Sequence, residues 1–320
     1  MPLRERALIA NLRTRVRERR SVVRGIGDDC AVLRLPRGHQ VLVTTDFTLE
    51  GIHFHREWHP PEAVGHRCLA RGLSDIAAMG GEPLAAFLSL ALPRKLPQRW
   101  VDRFFAGLLK LAEKFGTTLA GGDIAESLAG ILADITVVGS CPAGRAGLRS
   151  TARPGDRICV SGVLGASAAT LGELRKHPKR KLNIGGFEPH FFPEPRVRLG
   201  RTLREKGLAS AMIDISDGLS TDLQHICDES GVGAELQAEA IPVAAIGRPR
   251  RPVDFEIALH GGDDYELLFT ASPGKRIPSS IAGVPVTWVG RITRGSQIFV
   301  ISRHGVRSEL QARGWEHFRK

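Results

Sequence analysis

The stretch AMIDISDGLSTDLQHICDES, residues 211–230, carries the local pattern that decides the fold class. Ala211–Ile215 is short and apolar, which predicts a buried strand, and Ser216-Asp217-Gly218 is typical of the turn that ends such a strand. Leu219–Ser230 predicts a helix that follows directly. A strand that passes through an Asp-bearing turn into a helix indicates an α/β or α+β protein.

The same alternation extends outward from this stretch through the rest of the chain. The sequence predicts further helices at 62–79, 98–115, 165–175 and 196–206. It predicts further strands at 41–45, at a short segment before Gly121, and at 131–139, 157–161, 255–259, 265–270, 284–289 and 298–302. The segment 140–155 is rich in Gly, Pro, Ala and Arg and is the best domain boundary. We therefore predict two domains, residues 1–140 and 141–320.

Composition excludes several classes of protein. A chain of 320 residues with 42% hydrophobic and 25% charged residues is long enough for two cores. Its longest apolar runs fall short of the roughly 20 residues that a membrane span requires, so no membrane partner is expected. The five cysteines form an odd number without CxxC spacing, which argues against a disulfide framework or a zinc site. No secretory signal is evident at the N-terminus, and we expect a cytoplasmic protein.

The net charge of +11 leaves a non-enzymatic alternative open, namely an anion-binding or nucleic-acid-binding protein. The basic residues concentrate at 13–24, 176–181 and 248–251, in loop-like segments without interleaved aromatic residues. This distribution is more typical of a solvated surface than of a nucleic-acid groove. We therefore expect no nucleic-acid partner.

The acidic residues of this basic chain lie in turns with small residues. Six such turns contain Gly27-Asp28-Asp29, Thr45-Asp46, Ser74-Asp75, Gly122-Asp123, Asp214-Ile215-Ser216-Asp217 and Gly262-Asp263-Asp264. Small residues let short Asp side chains converge on one ion, and Mg²⁺ prefers such oxygen ligands. A single Asp in a turn often only accepts hydrogen bonds from nearby backbone N–H groups. Six turns together nevertheless predict a magnesium site, because buried adjacent carboxylates repel each other without a cation.

These blocks, taken in order, resemble the thiamine-monophosphate kinases. The resemblance rests on residues 25–33, 44–54, 73–80, 121–123, 214–219, 261–267 and 314–318, and it spans nearly the whole chain. It implies a fold like that of aminoimidazole ribonucleotide synthetase, with an N-terminal sheet domain that pairs in a homodimer and a C-terminal α/β domain. It also implies transfer of the γ-phosphoryl group of ATP to thiamine monophosphate, which gives thiamine diphosphate.

The resemblance also implies a set of site residues. The implied metal ligands are Asp29, Thr44, Thr45, Asp46, Asp75, Asp123, Asp214 and Asp217. The implied nucleotide contacts are Gly122, Asp123, Arg149 and Ser216, and the implied substrate contacts are His53, Asp263 and Trp315. Several Mg²⁺ ions and ATP would be bound between the two domains.

A site built from aspartates suits this chemistry. The second pKa of a phosphate monoester is about 6, so the attacking oxygen is already anionic near neutral pH. Metal ions offset the repulsion between two polyanions and align the attacking and leaving oxygens. We therefore expect in-line transfer with no protein nucleophile and no catalytic base.

Three features depart from the pattern that the resemblance leads us to expect. Asp263 stands where Glu is expected, and Arg71-Gly72 stands where smaller apolar residues or Asn are usual. The segment Arg4–Ile9 only loosely resembles the Gly-Glu-Phe opening of the family. Another ATP-dependent enzyme of the same superfamily, with a different substrate, therefore remains the alternative. A hydrogenase-maturation relative would be expected to end in a functional cysteine, and a selenophosphate synthetase relative to carry a reactive residue before Cys30; the chain shows neither.

Overall fold

The computed structural model describes residues 5–17, 19–27, 29–178 and 182–318. The helices are α1 Glu5–Arg15, α2 Pro61–Ala78, α3 Gln98–Phe115, α4 Ala166–Lys176, α5 Glu188–Phe191, α6 Val197–Glu205, α7 Leu219–Ser230 and α8 Phe255–His260, with a 3₁₀ turn at Ala238–Ala240. The first strands are β1 Val22–Arg24, β2 Val32–Leu33, β3 His39–Leu49, β4 Glu82–Pro93, β5 Thr118–Ser127, β6 Leu132–Pro142, β7 Arg157–Ser161 and β8 Ala211–Ile215. The remaining strands are β9 Gly233–Gln237, β10 Ala245–Ile246, β11 Arg251–Pro252, β12 Glu266–Ala271, β13 Ser280–Ile281, β14 Val284–Thr293, β15 Ile298–Ile301 and β16 Arg307–Glu309.

The N-terminal half forms a four-stranded sheet in the order β3-β6-β4-β5. Helices α2 and α3 pack against each other, and α2 packs on one face of this sheet through residues such as Leu73 and Val137. Small residues allow this close packing, since a Cβ at Gly65 would lie 1.9 Å from the carbonyl oxygen of Phe104. On the opposite face, Val22 and Leu33 of the β1–β2 hairpin pack against Ala85 and Ala120. Along β3 this face is open to solvent in this single chain, and Phe47 there is 54% exposed.

The C-terminal half forms a larger sheet in the order β16-β15-β9-β14-β7-β12-β8. A second core of buried residues, including Ile213, Leu223 and Leu268, lies between this sheet and α7. Helix α2 also contacts β8 and α6, so it lies between the two halves. Residues at the C-terminal end of α2 can therefore reach both sheets.

Most predicted elements are confirmed, and α3, β7, β8 and α7 have the predicted bounds. The predicted strand at 255–259 is wrong, because the segment is helix α8. Asp254 caps that helix by accepting a hydrogen bond from the N–H of Glu256 at 2.8 Å, a local contact that favours helix. The strand predicted at 41–45 extends from His39 to Leu49. Strand β4 was not predicted.

The described part of the chain contains no helix that is both long enough and apolar enough to cross a membrane.

Candidate active site

Three predicted metal ligands from three separate elements converge at one end of a cavity of about 830 Å³. Asp46 lies on β3, Asp75 in the last turn of α2, and Asp214 on β8. Hydrogen bonds from neighbouring hydroxyl groups hold two of them, because Thr44 donates to Asp75 and Ser74 donates to Asp214 Oδ2 at 2.7 Å. The structure therefore brings together carboxylates that are up to 168 positions apart.

Burial dominates the electrostatics of this acidic cluster, which we define as Asp46, Asp75 and Asp214. Burial and the charge of Asp75 raise the pKa of Asp46 to about 7 and that of Asp214 to about 7. Burial also raises the pKa of Asp75. Asp46 Oδ2 is buried and has no hydrogen-bond partner within the described part of the chain.

The acidic cluster fits a divalent cation. Its donors are carboxylate oxygens, which Mg²⁺ prefers, and a nearby cation would stabilise their charged forms. The unpartnered oxygen of Asp46 is a buried acceptor that an ion would satisfy. Residues Asp46, Asp75 and Asp214 would hold such an ion.

The predicted ligands Thr45 and Asp123 lie on the opposite, open face of the N-terminal sheet. Thr45 donates to Asp134 Oδ1 at 2.7 Å. Asp134 is paired across the strands with Ser89, which is also paired with Asp123. Cross-strand partners share a face of the sheet, whereas Asp46 follows Thr45 directly and points to the other face.

Asp123 and Gly122 are exposed and do not line the cavity described above. Asp123 Oδ1 accepts a hydrogen bond from the N–H of Ile124 at 2.8 Å. A side chain at Gly122 would place Cβ 1.9 Å from the carbonyl oxygen of Leu88, so only glycine fits there. Their roles toward nucleotide and metal remain predictions.

Asp29 is exposed in the turn that follows β1 and does not line the cavity. Asp28, the other acid of this motif, lies outside the described residues. The structure therefore does not choose between the two, and ligation by Asp29 remains a prediction.

A second acidic group lies at the start of α7. The N–H groups of Asp217 and Gly218 donate to Asp222 Oδ2 at 3.1 and 3.0 Å, and burial raises the pKa of Asp217 and that of Asp222. One ligand atom each from Asp217, Asp222 and His225 can lie within 4.8 Å of the others, a spacing that could hold a metal ion. Asp217 was predicted as a ligand, whereas Asp222 and His225 were missed.

Of the predicted nucleotide contacts Arg149 and Ser216, only Ser216 lines the cavity, and Arg149 acts on the acidic cluster through its charge. Arg149 is exposed, and its charge opposes the effect of burial by lowering the pKa of Asp75 and of Asp214. Ser216 lines the cavity, and its carbonyl oxygen accepts from the N–H of Asp263 at 2.8 Å. Positive charge at this edge suits a phosphate group.

The predicted substrate contacts His53 and Trp315 also line the cavity, together with His317. The ring centroids of His53 and His317 lie 5.7 Å apart, as do those of Trp315 and His317. Burial and the charge of Arg71 lower the pKa of His53 to about 3, so its ring is neutral near pH 7. The rings of His53, Trp315 and His317 form one side of the cavity, which we call the aromatic wall below.

Asp263 lines the cavity, but both of its carboxylate oxygens are already bonded within the chain. Oδ2 lies 2.7 Å from Arg67 Nη2, and Oδ1 accepts from Arg71 Nη2 at 3.1 Å and from the hydroxyl of Tyr265 at 2.6 Å. Burial would raise the pKa of Asp263, but Arg67 and Arg71 hold it well below its ordinary value. Two of the positions that depart from the expected pattern, 71 and 263, are thus paired with each other.

The structure separates the two acids of the Gly261–Asp264 motif. Asp264 does not line the cavity, and its Oδ2 accepts from the N–H of Gly165 at 2.7 Å. Burial raises its pKa to about 8. Asp263 therefore faces the site, and Asp264 supports the loop before α4.

Two protein-family models match the chain, one for each half. Residues 27–141 match the family "AIR synthase related protein, N-terminal domain", and residues 153–279 match "AIR synthase related protein, C-terminal domain". The chain therefore has the two-domain AIR synthase fold.

Individual relatives define the family more narrowly. The chain is 36% identical to the thiamine-monophosphate kinase of Salmonella typhimurium and 33% identical to that of Bacillus subtilis, each over 98% of both chains. The solved thiamine-monophosphate kinase of Stenotrophomonas maltophilia superposes with a TM-score of 0.81 at 36% identity, over 94% of this chain and 97% of the other. The chain belongs to the thiamine-monophosphate kinase family, whose members are phosphotransferases.

Two further solved structures are similar to the chain in fold. AaThiL complexed with AMPPCP and TMP superposes with a TM-score of 0.78 at 33% identity, over 89% of each chain. Hydrogenase maturation protein HypE in complex with ATP shares the fold, with a TM-score of 0.72 at 19% identity, over 89% of this chain and 88% of the other. Family membership thus favours an enzyme over the non-enzymatic alternative.

Proposed function

We propose that this chain transfers the γ-phosphoryl group of ATP directly to thiamine monophosphate. The observation that carries the proposal is the acidic cluster, which lies in the same cavity as the aromatic wall. The cluster suits two phosphate-bearing substrates and their metal ions, and the wall suits an aromatic ring system. The names of the relatives, thiamine-monophosphate kinase, support the choice of thiamine monophosphate as the acceptor.

Mg²⁺ is the cation that we assign to Asp46, Asp75 and Asp214. When bound, it would neutralise phosphate charge and favour in-line transfer. Thr44 and Asp217 are further proposed ligands, and Thr45, Asp29 and Asp123, which do not line this cavity, are proposed ligands of further ions. The first of these, Thr44, already contacts Asp75.

The chain's own residues then bind and orient the two substrates. Arg149, Gly122, Asp123 and Ser216 are the proposed nucleotide contacts, and the charge of Arg149, which acts on Asp75 and Asp214, supports pairing with a phosphate. The neutral ring of His53 and the indole of Trp315 can pack against the aromatic rings of thiamine. The acceptor phosphate is anionic near neutral pH, so no residue of the cavity needs to remove a proton from it.

We further propose a homodimer formed through the open face of the N-terminal sheet. Val41, Val43 and Phe47 on β3 are 46%, 65% and 54% exposed and lie on this face in alternate positions. Contiguous exposed apolar side chains are typical of protein interfaces, and a second copy of the chain offers the same apolar face. The reaction is assigned to the cytoplasm.

The proposal is tested by acceptor choice and metal dependence in one assay. ADP release is measured with thiamine monophosphate or with thiamine as acceptor, in Mg²⁺ or in EDTA. We expect turnover only with thiamine monophosphate in Mg²⁺, because the acceptor must supply an anionic phosphate oxygen. Phosphorylation of free thiamine, or equal turnover in EDTA, would contradict the proposal.

A further inference from the structure

Arg71 lies in the cavity between the acidic cluster and Asp263. It belongs to α2, one helical turn before Asp75, so the two side chains share a face of the helix. Its side chain is 13% exposed, and it lines the cavity together with Asp46, Asp75 and Tyr265. A guanidinium group therefore stands beside the proposed metal site.

The guanidinium of Arg71 is only partly used by the protein. Nη2 donates to Asp263 Oδ1 at 3.1 Å. Nε is buried and has no hydrogen-bond partner within the described part of the chain. An unpaired buried donor is costly, so the protein alone leaves the guanidinium incompletely bonded, and the part of Arg71 that lines the cavity is open to an anion.

Arg67 differs from Arg71, because both of its terminal guanidinium nitrogens donate hydrogen bonds within the chain. Its side chain is 2% exposed, it lies 2.7 Å from Asp263 Oδ2, and it donates to the carbonyl oxygen of His190. Arg67 does not line the cavity. Asp263 thus has a buried cation of its own, and Arg71 retains a donor for a ligand.

The surroundings of Arg71 indicate which part of a ligand it would meet. Asp46 and Asp75 lie on one side of it, and the charge of Arg71 lowers their pKa values against the effect of burial. The aromatic wall lines the same cavity, and the charge of Arg71 also acts on His53. A ligand whose aromatic rings contact the wall, and whose phosphate approaches the metal site, would present that phosphate to Arg71.

We propose that Arg71 binds the phosphate group of the acceptor, thiamine monophosphate, through its guanidinium group. This inference rests on the proposed function and adds a specificity-determining residue to it. Arg71 pairs with the phosphate as a charge-assisted donor and so discriminates thiamine monophosphate from thiamine. Asp263 orients the guanidinium by accepting from Nη2.

The test compares the two ligands in wild type, Arg71→Gln and the control Arg175→Gln, in Mg²⁺. Arg175 is an exposed arginine on α4 that lines the same cavity, so its substitution removes the same charge. The KM of thiamine monophosphate, the KM of ATP and the inhibition constant of thiamine are measured. Arg71→Gln is expected to raise the KM of thiamine monophosphate about 10- to 100-fold, which is the loss expected for hydrogen bonds to a charged group. The other two constants should change less than about twofold.

Each remaining result decides the inference. The inference is overturned if Arg71→Gln weakens the binding of thiamine as much as that of thiamine monophosphate, or if it changes the binding of neither. It is also overturned if Arg175→Gln raises the KM of thiamine monophosphate as much as Arg71→Gln does. If Arg71→Gln does not fold, Arg71→Lys decides by the same three constants, because it keeps the charge and loses the Nε donor. Wild type that does not phosphorylate thiamine monophosphate refutes the proposed function itself, whereas active wild type with an unaltered Arg71→Gln refutes only the role of Arg71.

Discussion

Replacing Asp214 by Asn should stabilise the metal-free protein at alkaline pH. Asp214 is 3% exposed, and burial together with Asp75 raises its pKa from 3.8 to about 7. A carboxyl group whose pKa is raised on folding contributes stability that is fully present below about pH 4 and is lost as the pH rises through about 7. The ionised form of Asp214 therefore destabilises the folded protein, and replacement by Asn removes this charge.

The size of the effect follows from the same pKa values. At about pH 8, ionised Asp214 costs about 4 kcal/mol relative to its neutral form, and at about pH 5 the cost is under 2 kcal/mol. Ser74 Oγ, 2.7 Å from Asp214 Oδ2, loses a charged acceptor in the variant, which offsets about 1 kcal/mol. The net gain in the free energy of unfolding is about 3 kcal/mol at the higher pH and under 1 kcal/mol at the lower.

The assay is urea unfolding in EDTA at both pH values, repeated with Mg²⁺. We expect Mg²⁺ to raise the unfolding midpoint of wild type at about pH 8 and to do so much less in Asp214→Asn, which lacks a ligand. Asp228→Asn is the control, because Asp228 lies on α7 in the same C-terminal half and is exposed. A variant less stable than wild type at the higher pH, or a gain that is equal at both pH values, would refute the reasoning.

Three further predictions concern the metal site, the buried ion pair and the open sheet face. Asp46→Asn or Asp75→Asn should abolish ADP release in a kinase assay while the circular dichroism spectrum is retained, because each removes a carboxylate from the metal site; near-normal turnover in either would be inconsistent with that site. Asp263→Asn should lower stability by about 3 kcal/mol, because it leaves the buried charge of Arg67 uncompensated; a thermal melt like that of wild type would count against the ion pair. Val43→Asp should give a monomer by light scattering, because it charges the open face; an unchanged mass would exclude this face as the interface.

Regular elements of the fold could be predicted where the local pattern is strong. Gln98–Phe115 and Ala211–Ile215 have the predicted bounds, because amphipathic periodicity and a short apolar run are local signals. Strand Glu82–Pro93 escaped prediction because its two prolines and its small residues weaken the strand pattern. The short segment Phe255–His260 is apolar enough for either a strand or a helix, and the N-cap at Asp254 favours the helix.

The acidic cluster could be predicted in part. Asp46 and Asp75 each follow a small hydroxyl-bearing residue, and Asp214 lies two residues before Ser216-Asp217-Gly218, which are patterns visible in the sequence. Asp134 and Asp222 carry no such motif, and their positions depend on cross-strand register and on the turn before α7. Register and long-range contact are set by packing, which no local pattern records.

The pairing of Arg71 with Asp263 illustrates the same limit. Both residues stood out in the sequence only as departures from an expected pattern, 192 positions apart. Only the packing of α2 against the C-terminal half brings them together. Asp29 and Asp123 show the converse, because their motifs are clear while the single chain leaves both exposed.

The most direct test of the account is the fate of the γ-phosphoryl group. ATP labelled with ¹⁸O in that group is incubated with thiamine monophosphate, Mg²⁺ and the protein, and the products are identified by mass spectrometry. The account predicts that ADP and thiamine diphosphate form in equal amounts, with the label in the terminal phosphate of thiamine diphosphate. Unlabelled thiamine diphosphate, AMP as the nucleotide product, or labelled inorganic phosphate with no thiamine diphosphate would contradict it.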